Sequence, residues 1–250
     1  MKNFDYKEVG KEIGWSFAKM DYSVEHLSDF DYYKEVVKHL TPETKMLDIG
    51  CGSAEKGVRF YSVANKVLLT DFEPEMLKKA KVNVEKYYGT NSKVKNKFKF
   101  AILDCNGPFD YADGSFDLVV SRHCGANMKE VFRVLKKGGV FISEDYSSED
   151  CFEIKQIFNR GQSYKEEPKY KKVMNECLEA GFSEIKLLKF EQIEHYKTID
   201  DLKFLLHHTP IIGGYDEEND NQTLLEYVKQ YSSKKGIQLN RKLYAFMLKK

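Results

Sequence analysis

Short apolar runs alternate with amphipathic stretches from about residue 45 to the end of the chain. Runs of this length, rich in Val, Ile, Leu and Phe, predict buried β-strands. The predicted strands lie at 46–49, 66–70, 98–103, 116–120, 140–143, 185–190 and 243–248. We therefore expect a sheet that other elements cover.

Apolar residues recur at helical spacing between these strands, over 74–88, 126–136 and 170–180. Glycines at 138–139 and Gly181 follow two of these stretches, and glycine commonly ends a helix. Alternating strands and helices are typical of a mostly parallel sheet with helices on both faces. The predicted fold class is therefore α/β and Rossmann-like.

Two regions depart from this alternation. Residues 1–40 are aromatic and charged and predict short helices, whereas 191–238 form a long insert before the last strand. Within the insert we predict helices at 199–207 and 224–231, with an acidic turn at 213–220 between them. Inserts of this length are usually functional.

These regions predict a single domain over residues 1–250. Its Rossmann-like core covers 41–190 and 239–250. Residues 1–40 are expected to form an N-terminal helical cap, and 191–238 a helical lid. Such a lid can close over a site and exclude water.

The composition is that of a soluble globular protein, with 42% hydrophobic and 32% charged residues among 250. Lys and Arg number 40 against 39 Asp and Glu, and this balance argues against a nucleic-acid partner. The 5 cysteines include no Cys-x-x-Cys pair, which argues against a disulfide framework and a metal site. With a charged N-terminus and no long apolar run, we expect a cytoplasmic protein without a membrane partner.

A glycine-rich loop follows the first predicted strand and reads Asp48-Ile49-Gly50-Cys51-Gly52. In open α/β sheets, ligands bind at the carboxyl ends of the strands. Glycine lets the backbone turn tightly there and approach a ligand closely. A lone Gly-x-Gly is weak evidence, because many loops contain one.

Acidic residues end the next two strands. Asp71 follows the second strand, where a carboxylate can accept hydrogen bonds from ribose hydroxyls. Asp104 ends the third and can accept a bond from an adenine amino group, beside the Cys105 amide. Phe72 can pack on the adenine ring. The pattern predicts a nucleoside-containing cofactor.

Four segments resemble the successive motifs of class I methyltransferases that use S-adenosylmethionine (SAM), at 46–57, 69–77, 103–120 and 131–142. Their order and spacing match over roughly residues 45–145. The resemblance implies SAM as cofactor, S-adenosylhomocysteine as product, and a seven-stranded sheet with a reversed last hairpin.

The resemblance also assigns roles to the residues of these motifs. Gly50 and Gly52 flank the amino-acid portion of SAM, Asp71 holds the ribose, and Asp104 with Cys105 holds the adenine. The remaining expected cofactor neighbours within the motifs and beside them are Asp48, Cys51, Phe72, Met76 and Ser121.

Three positions depart from related patterns. A third glycine common in the first loop is Ala54, and the serine usual after the second-strand acid is Glu73. NAD is the rival cofactor, but its motif expects a third glycine where Glu55 stands. A carboxylate beside a diphosphate is unfavourable, and SAM carries no phosphate.

Residues 14–20 (GWSFAKM), taken with Arg122 and His123, are similar to a group of bacterial class I methyltransferases whose substrate is unclear. This likeness extends to the N-terminal segment. It implies that Trp15 or Phe17 closes over SAM. The alternative is that these rings belong to the core.

The loop after the fourth strand carries the expected acceptor chemistry. Arg122 can hold an acidic acceptor in a bidentate manner, and His123 can act as general base. The alternative is that His123 bonds only to backbone and Arg122 ties down the loop.

The functional hypothesis is methyl transfer from SAM to an oxygen or nitrogen of a small molecule, by a monomer or homodimer. An RNA base methyltransferase and a non-catalytic SAM-binding regulatory protein are the alternatives. The balanced charge counts against the first. The full set of cofactor motifs counts against the second.

Overall fold

The structure, a computed structural model, describes residues 4–14, 16–89 and 91–250. Within them, one nine-stranded sheet carries helices on both faces. In chain order the strands are β1 (Tyr22–His26), β2 (Lys45–Ile49), β3 (Lys66–Asp71), β4 (Phe98–Ile102), β5 (Phe116–Arg122), β6 (Leu135–Tyr146), β7 (Glu184–Tyr196), β8 (Ser232–Ser233) and β9 (Gly236–Lys249).

The helices alternate with these strands and follow the predicted pattern closely. In chain order they are α1 (Tyr6–Glu12), α2 (Tyr32–Val37), α3 (Pro74–Tyr88), α4 (Ser92–Lys95), α5 (Met128–Val134), α6 (Phe152–Phe158), α7 (Lys169–Ala180), α8 (Ile199–His207) and α9 (Glu217–Tyr231). None of them, over the described ranges, is both long and apolar enough to cross a membrane.

The strand order is β1-β7-β9-β6-β5-β2-β3-β4, with β8 paired to β9. The five strands from β4 to β6 are parallel, and β9 runs antiparallel to both β6 and β7. This confirms the expected sheet with a reversed last hairpin. Strands β1 and β8 add to the seven that the motif resemblance implies.

The core lies on both faces of the sheet, because successive strand residues point in opposite directions. In β2, Met46 packs in the cluster beneath α2 and α3, whereas Leu47 and Ile49 pack in the cluster beneath α5 and α7. A third cluster includes Leu202 and Leu224 and joins α6, α8 and α9. The first two clusters hold the strands whose carboxyl ends form the site.

We expected residues 1–40 to form helices, but this N-terminal segment also contains a strand. Strand β1 pairs antiparallel with β7 in this segment, and Tyr22 lies opposite Tyr196. The tyrosine rings stack with centroids 5.4 Å apart. The prediction missed the strand because none of its residues is buried, so the sequence has no apolar alternation there.

Helix α5 ends earlier than predicted. Leu135 already has extended backbone angles and begins β6, so Gly138 and Gly139 lie inside a strand and do not end the helix. Leu135 is fully buried, as it would be in either a helix or a strand. The spacing of apolar residues could therefore not distinguish the two structures. A short apolar run is ambiguous between helix and strand for this reason.

The insert also begins and ends elsewhere than predicted. Strand β7 continues to Tyr196, and the stretch expected to be an acidic turn holds the first turn of α9. Asp216 caps that helix by accepting a hydrogen bond from the Asn219 N–H. Glu217 and Glu218 then lie at the positive end of the helix dipole, which favours the helix.

Candidate active site

The site lies where the sheet changes direction of winding. Strand β2 pairs with β3 on one side and with β5 on the other, and all three run parallel. A crevice opens at the carboxyl ends of strands at such a switch point. Residues 48–52, 71–72 and 121–124 all come to this edge.

The glycine loop turns sharply out of β2. Gly50 and Gly52 have φ angles of +68° and +56°, a region that glycine occupies without strain. A Cβ on Gly50 would lie 2.6 Å from the Cβ of Cys124 and nearer still to its Sγ. The Cys51 N–H donates to the Thr70 carbonyl over 2.8 Å, which ties the loop to β3.

Asp71 lies across from this loop with its carboxylate held in place. Its Oδ2 accepts a hydrogen bond from the Gly52 N–H and its Oδ1 one from the Glu73 N–H, each at 2.9 Å. Burial raises its pKa, and these backbone bonds partly offset that rise. The strand end and the glycine loop are therefore linked through one carboxylate.

Asp48 is a buried carboxylate at the end of β2. Burial raises its pKa to about 7, a hydrogen bond from Tyr61 opposes the rise, and the charge of Asp71 adds to it. A cationic ligand beside such a group favours its ionised form.

Exposed apolar side chains mark the far end of the crevice. Phe72 is 65% exposed and Ile102 is 63% exposed, at the ends of β3 and β4. Asp104 is exposed beside them and accepts a hydrogen bond from the Asn106 N–H. A planar ring could cover this apolar surface while an acid accepts a bond at its edge.

Cys105 and Cys124 meet beside the glycine loop. Their thiols hydrogen-bond, and that bond lowers the pKa of Cys105 and raises the pKa of Cys124. The Cys105 carbonyl accepts a bond from the Asn127 N–H at 2.7 Å. Buried Ser121 donates from Oγ to the Cys124 carbonyl at 2.7 Å, so it supports the loop through this bond.

Arg122 is the last residue of β5 and lies at the same sheet edge. Its Nε donates to Glu144 Oε1 at 2.8 Å, and its side chain remains 30% exposed. The guanidinium carbon lies 5.8 Å and 5.6 Å from the ring centres of Tyr32 and Tyr33. Glu144 raises the pKa of Arg122, which is therefore a permanent cation.

His123 has a backbone φ of +56°, uncommon outside glycine. Its ring stacks on Tyr146 with centroids 4.3 Å apart, and its Nε2 lies 3.6 Å from Glu144 Oε1. Its buried Nδ1 has no hydrogen-bond partner within the described ranges. Burial, then the charges of Arg122, Arg241 and Lys56, hold its pKa well below the usual value.

The other residues expected to contact the cofactor differ in their burial and in their neighbours. Met76 is buried on α3, and its Cε would be 2.7 Å from a Cβ on Gly10, so α1 covers it. Trp15 lies outside the described residues. Phe17 packs edge-on against Phe204 of the insert, 6.4 Å between ring centres.

The N-terminal segment and the insert touch each other and the core. Lys79 on α3 donates to the Gly10 carbonyl at 2.6 Å, at the end of α1. His208 Nε2 lies 3.3 Å from Glu12 Oε1, and this contact joins α1 to the end of α8. The Asp21 N–H also donates to Asp201 of the insert.

The sequence analysis did not identify several polar and charged residues around His123 and Arg122. Glu144 and Tyr146 lie at the end of β6. They could have been found from the sequence as polar residues that follow an apolar strand ending at the same sheet edge. Lys56 follows the glycine loop, and its charge reaches Arg122 and Glu144. Arg241 gave no signal, because its partners lie far away in the sequence.

Comparison with known sequences points to one class of domain. Residues 40–227 match a family model described as a methyltransferase domain. The ribosomal protein L11 methyltransferase of Thermosipho africanus is 33% identical over 114 residues, which are 44% of this chain and 40% of that protein. The chain thus spans about two fifths of the length of this curated relative.

Solved structures share the fold. YcgJ from Bacillus subtilis superposes with a TM-score of 0.62 at 16% identity, over 88% of this chain and 97% of that one. A Haemonchus contortus phosphoethanolamine N-methyltransferase, complexed with phosphomonomethylethanolamine and S-adenosylhomocysteine, gives 0.51 at 18% identity, over 87% and 52%. At such identities the likeness concerns the fold alone.

Proposed function

The chain belongs to the class I SAM-dependent methyltransferase family, and from that premise we propose that it methylates an oxygen or nitrogen atom of a small molecule. The observation that carries this proposal is the β2–β5 switch point, where Asp71 accepts a hydrogen bond from the glycine loop. SAM supplies a methyl group on a sulfonium, which a nucleophile displaces directly. The protein's part is to hold and align the acceptor.

The residues of the crevice fit SAM in shape and charge. At Gly50 an added Cβ would meet the Cys124 side chain, so glycine lets the loop pack closely against residues 121–124 at this edge of the sheet. Asp71 would accept bonds from the ribose, and Phe72 would cover the adenine beside Asp104. We assign Asp48, Cys51, Gly52, Cys105, Met76 and Ser121 to the walls and support of this crevice.

Arg122 and His123 are the proposed acceptor residues. Arg122 is a permanent cation at the mouth of the crevice and would hold an acidic group. His123 is neutral, so an unprotonated nitrogen is available to accept a proton from the acceptor. The neighbouring Tyr146 ring fixes its orientation.

We further propose that the chain is a single domain whose N-terminal segment and insert together form the lid. The contact between Glu12 and His208 supports this, since it joins the two regions directly. The bond from Lys79 to the Gly10 carbonyl anchors the same segment on α3. A lid of this kind excludes water while the acceptor is aligned.

Replacing Asp71 by alanine is expected to weaken SAM binding by about 1–3 kcal/mol, because the ribose loses its acceptor. Isothermal titration calorimetry of SAM with wild type and Asp71→Ala measures the difference. Asp110→Ala, an exposed aspartate on a loop, is the matched control. Equal affinity in both variants would remove Asp71 from the site, and tighter binding of NAD than of SAM would overturn the proposed cofactor.

His123 is expected to stay neutral as the pH falls through 6.5, the ordinary value for histidine. Protonation would place a charge in a buried site beside Arg122, Arg241 and Lys56. The unfolded chain takes up that proton and the folded chain does not, so the free energy of unfolding decreases below pH 6.5. An NMR titration of the histidine rings, assigned with His123→Gln, measures this. A midpoint at 6.5 or above would contradict it.

A further inference from the structure

One buried carboxylate meets both residues that we propose to face the acceptor. Glu144 lies near the end of β6 and is buried. Its Oε1 accepts a hydrogen bond from Arg122 Nε at 2.8 Å, and the same oxygen lies 3.6 Å from His123 Nε2. Arg122 and His123 are therefore linked through a single carboxylate oxygen.

The pairing of β5 with β6 places Glu144 at this position. Arg122 lies opposite Glu144 in the parallel pair, and the His123 N–H donates to the Glu144 carbonyl at 2.7 Å. Consecutive residues of a regular strand point to opposite faces of the sheet. At His123 the φ of +56° departs from extended backbone, and its ring comes to the same carboxylate as the side chain of Arg122.

The contact with Glu144 fixes the orientation of the His123 ring, which stacking leaves open. The rings of His123 and Tyr146 are nearly parallel, at 11°, with centroids 4.3 Å apart. An imidazole ring can turn over within such a stack, which exchanges the places of its nitrogens and carbons. A carboxylate at one edge favours the orientation that places a ring N–H beside it.

Glu144 also determines which nitrogen of His123 carries the proton. A neutral imidazole has one N–H and one lone pair, whereas an ionised carboxylate can only accept a hydrogen bond. Burial raises the pKa of Glu144, but the charge of Arg122 opposes that rise and favours the ionised form. The proton of neutral His123 therefore lies on Nε2, and the lone pair lies on Nδ1.

The lone pair on Nδ1 lacks a donor. This atom is buried, and it forms no hydrogen bond with any residue that the structure describes. A buried acceptor without a donor is unfavourable. A hydroxyl or amine of the methyl acceptor would supply that donor, and its proton would then lie beside the nitrogen that can take it.

We infer that Glu144 is a positioning residue, which orients Arg122 and His123 together and keeps the His123 proton on Nε2, so that Nδ1 accepts the proton of the methyl acceptor. This rests on the proposed function, in which His123 is the base. The bond from the acceptor atom to the methyl carbon forms as the bond from that carbon to sulfur breaks. The acceptor proton goes to Nδ1, and the positive charge passes from the sulfonium to the imidazole.

Nitrogen NMR of the His123 ring tests this inference, because the chemical shift of each ring nitrogen reports whether it carries a proton. We would compare wild type, Glu144→Gln and the control Glu43→Gln at neutral pH, with signals assigned by His123→Gln. In wild type and in Glu43→Gln we expect the proton on Nε2. Glu43 is an exposed residue before β2, at the end of that strand opposite the site.

The neutral amide in Glu144→Gln can either accept from Nε2–H or donate to an unprotonated Nε2. We therefore expect the ratio of the Nε2–H form to the Nδ1–H form to fall at least about tenfold, since a hydrogen bond to a charged acceptor is lost. Glu144→Asp keeps the negative charge and should retain the wild-type tautomer.

A proton on Nδ1 in wild-type His123 would overturn the inference, even if Glu144→Gln does not fold. An unchanged ratio in folded Glu144→Gln would also overturn it, because Glu144 would then contribute to stability alone. Both measurements are made without cofactor or acceptor. Failure of wild type to bind SAM in calorimetry would instead refute the proposed function, whatever the tautomer.

Discussion

Replacing Arg241 by methionine is expected to lower the free energy of unfolding by about 3–5 kcal/mol, the largest effect on stability that we expect here. Arg241 is buried together with Asp150 and Glu194, whose side chains are 5% and 8% exposed. Methionine would fill much of the space but would leave two buried carboxylates without their cation. Removing one partner of a buried ion pair is costly for this reason.

The bonds of this cluster connect three separate parts of the fold. From β9, Arg241 donates through Nε and Nη2 to Asp150, at 3.0 and 3.2 Å, and through Nη1 to Glu194 of β7, at 2.8 Å. The Tyr196 hydroxyl also donates to Glu194, at 2.6 Å. Loss of the guanidinium should therefore weaken the contact between the sheet and the residues that begin α6.

Urea denaturation of wild type and Arg241→Met would measure the change. Arg59→Met is the matched control, because Arg59 is exposed and has no ion pair with another described residue. Neutralising the two acids in the same background, with Asp150→Asn and Glu194→Gln, should recover much of the loss. A loss below about 1 kcal/mol, typical of exposed pairs, would show that the cluster does not act as a buried one.

The same cluster contacts the residues that we propose to face the acceptor. The Arg241 guanidinium lies 4.2 Å from the centre of the Tyr146 ring, and that ring stacks on His123. A cation over an aromatic face is attracted to it. The position of His123 therefore depends on Arg241, which is far from it in the sequence.

The positions of the residues proposed to hold the cofactor could largely be predicted, because they follow strands within one continuous stretch. Asp71 and the glycine loop could be placed at one sheet edge from strand order alone. The fold prediction was accurate there for the same reason, and helix α3 has the predicted bounds.

The acceptor side could not be predicted to the same depth. Arg241 meets Asp150 across 91 positions and Glu194 across 47, and no local pattern reports such contacts. Lys56 follows the glycine loop, and no local pattern reports that its charge reaches Arg122 and Glu144. Strand β1 depends on pairing with β7, a tertiary contact that outweighs its weak local pattern.

Replacing Gly50 by alanine is expected to impair both stability and SAM binding. At a φ of +68° an added Cβ strains the backbone by about 1–2 kcal/mol. That Cβ would also lie 2.6 Å from the Cys124 Cβ, and such overpacking costs a further ~1–3 kcal/mol. Because this crowding would displace the glycine loop from Cys124, we expect SAM to bind at least about tenfold more weakly, roughly 1.4 kcal/mol.

Gly214→Ala separates the two causes of this loss. Gly214 has nearly the same φ, +66°, but an added Cβ meets nothing within 4 Å, so only backbone strain should appear. Combining Gly50→Ala with Cys124→Gly removes the atoms that crowd position 50, and a double-mutant cycle should then show favourable coupling between the two changes. Urea denaturation gives the stabilities, and calorimetry with SAM gives the affinities. If Gly50→Ala and Gly214→Ala lose equal stability, and SAM affinity is unchanged, the close approach at Gly50 has no role in holding the cofactor.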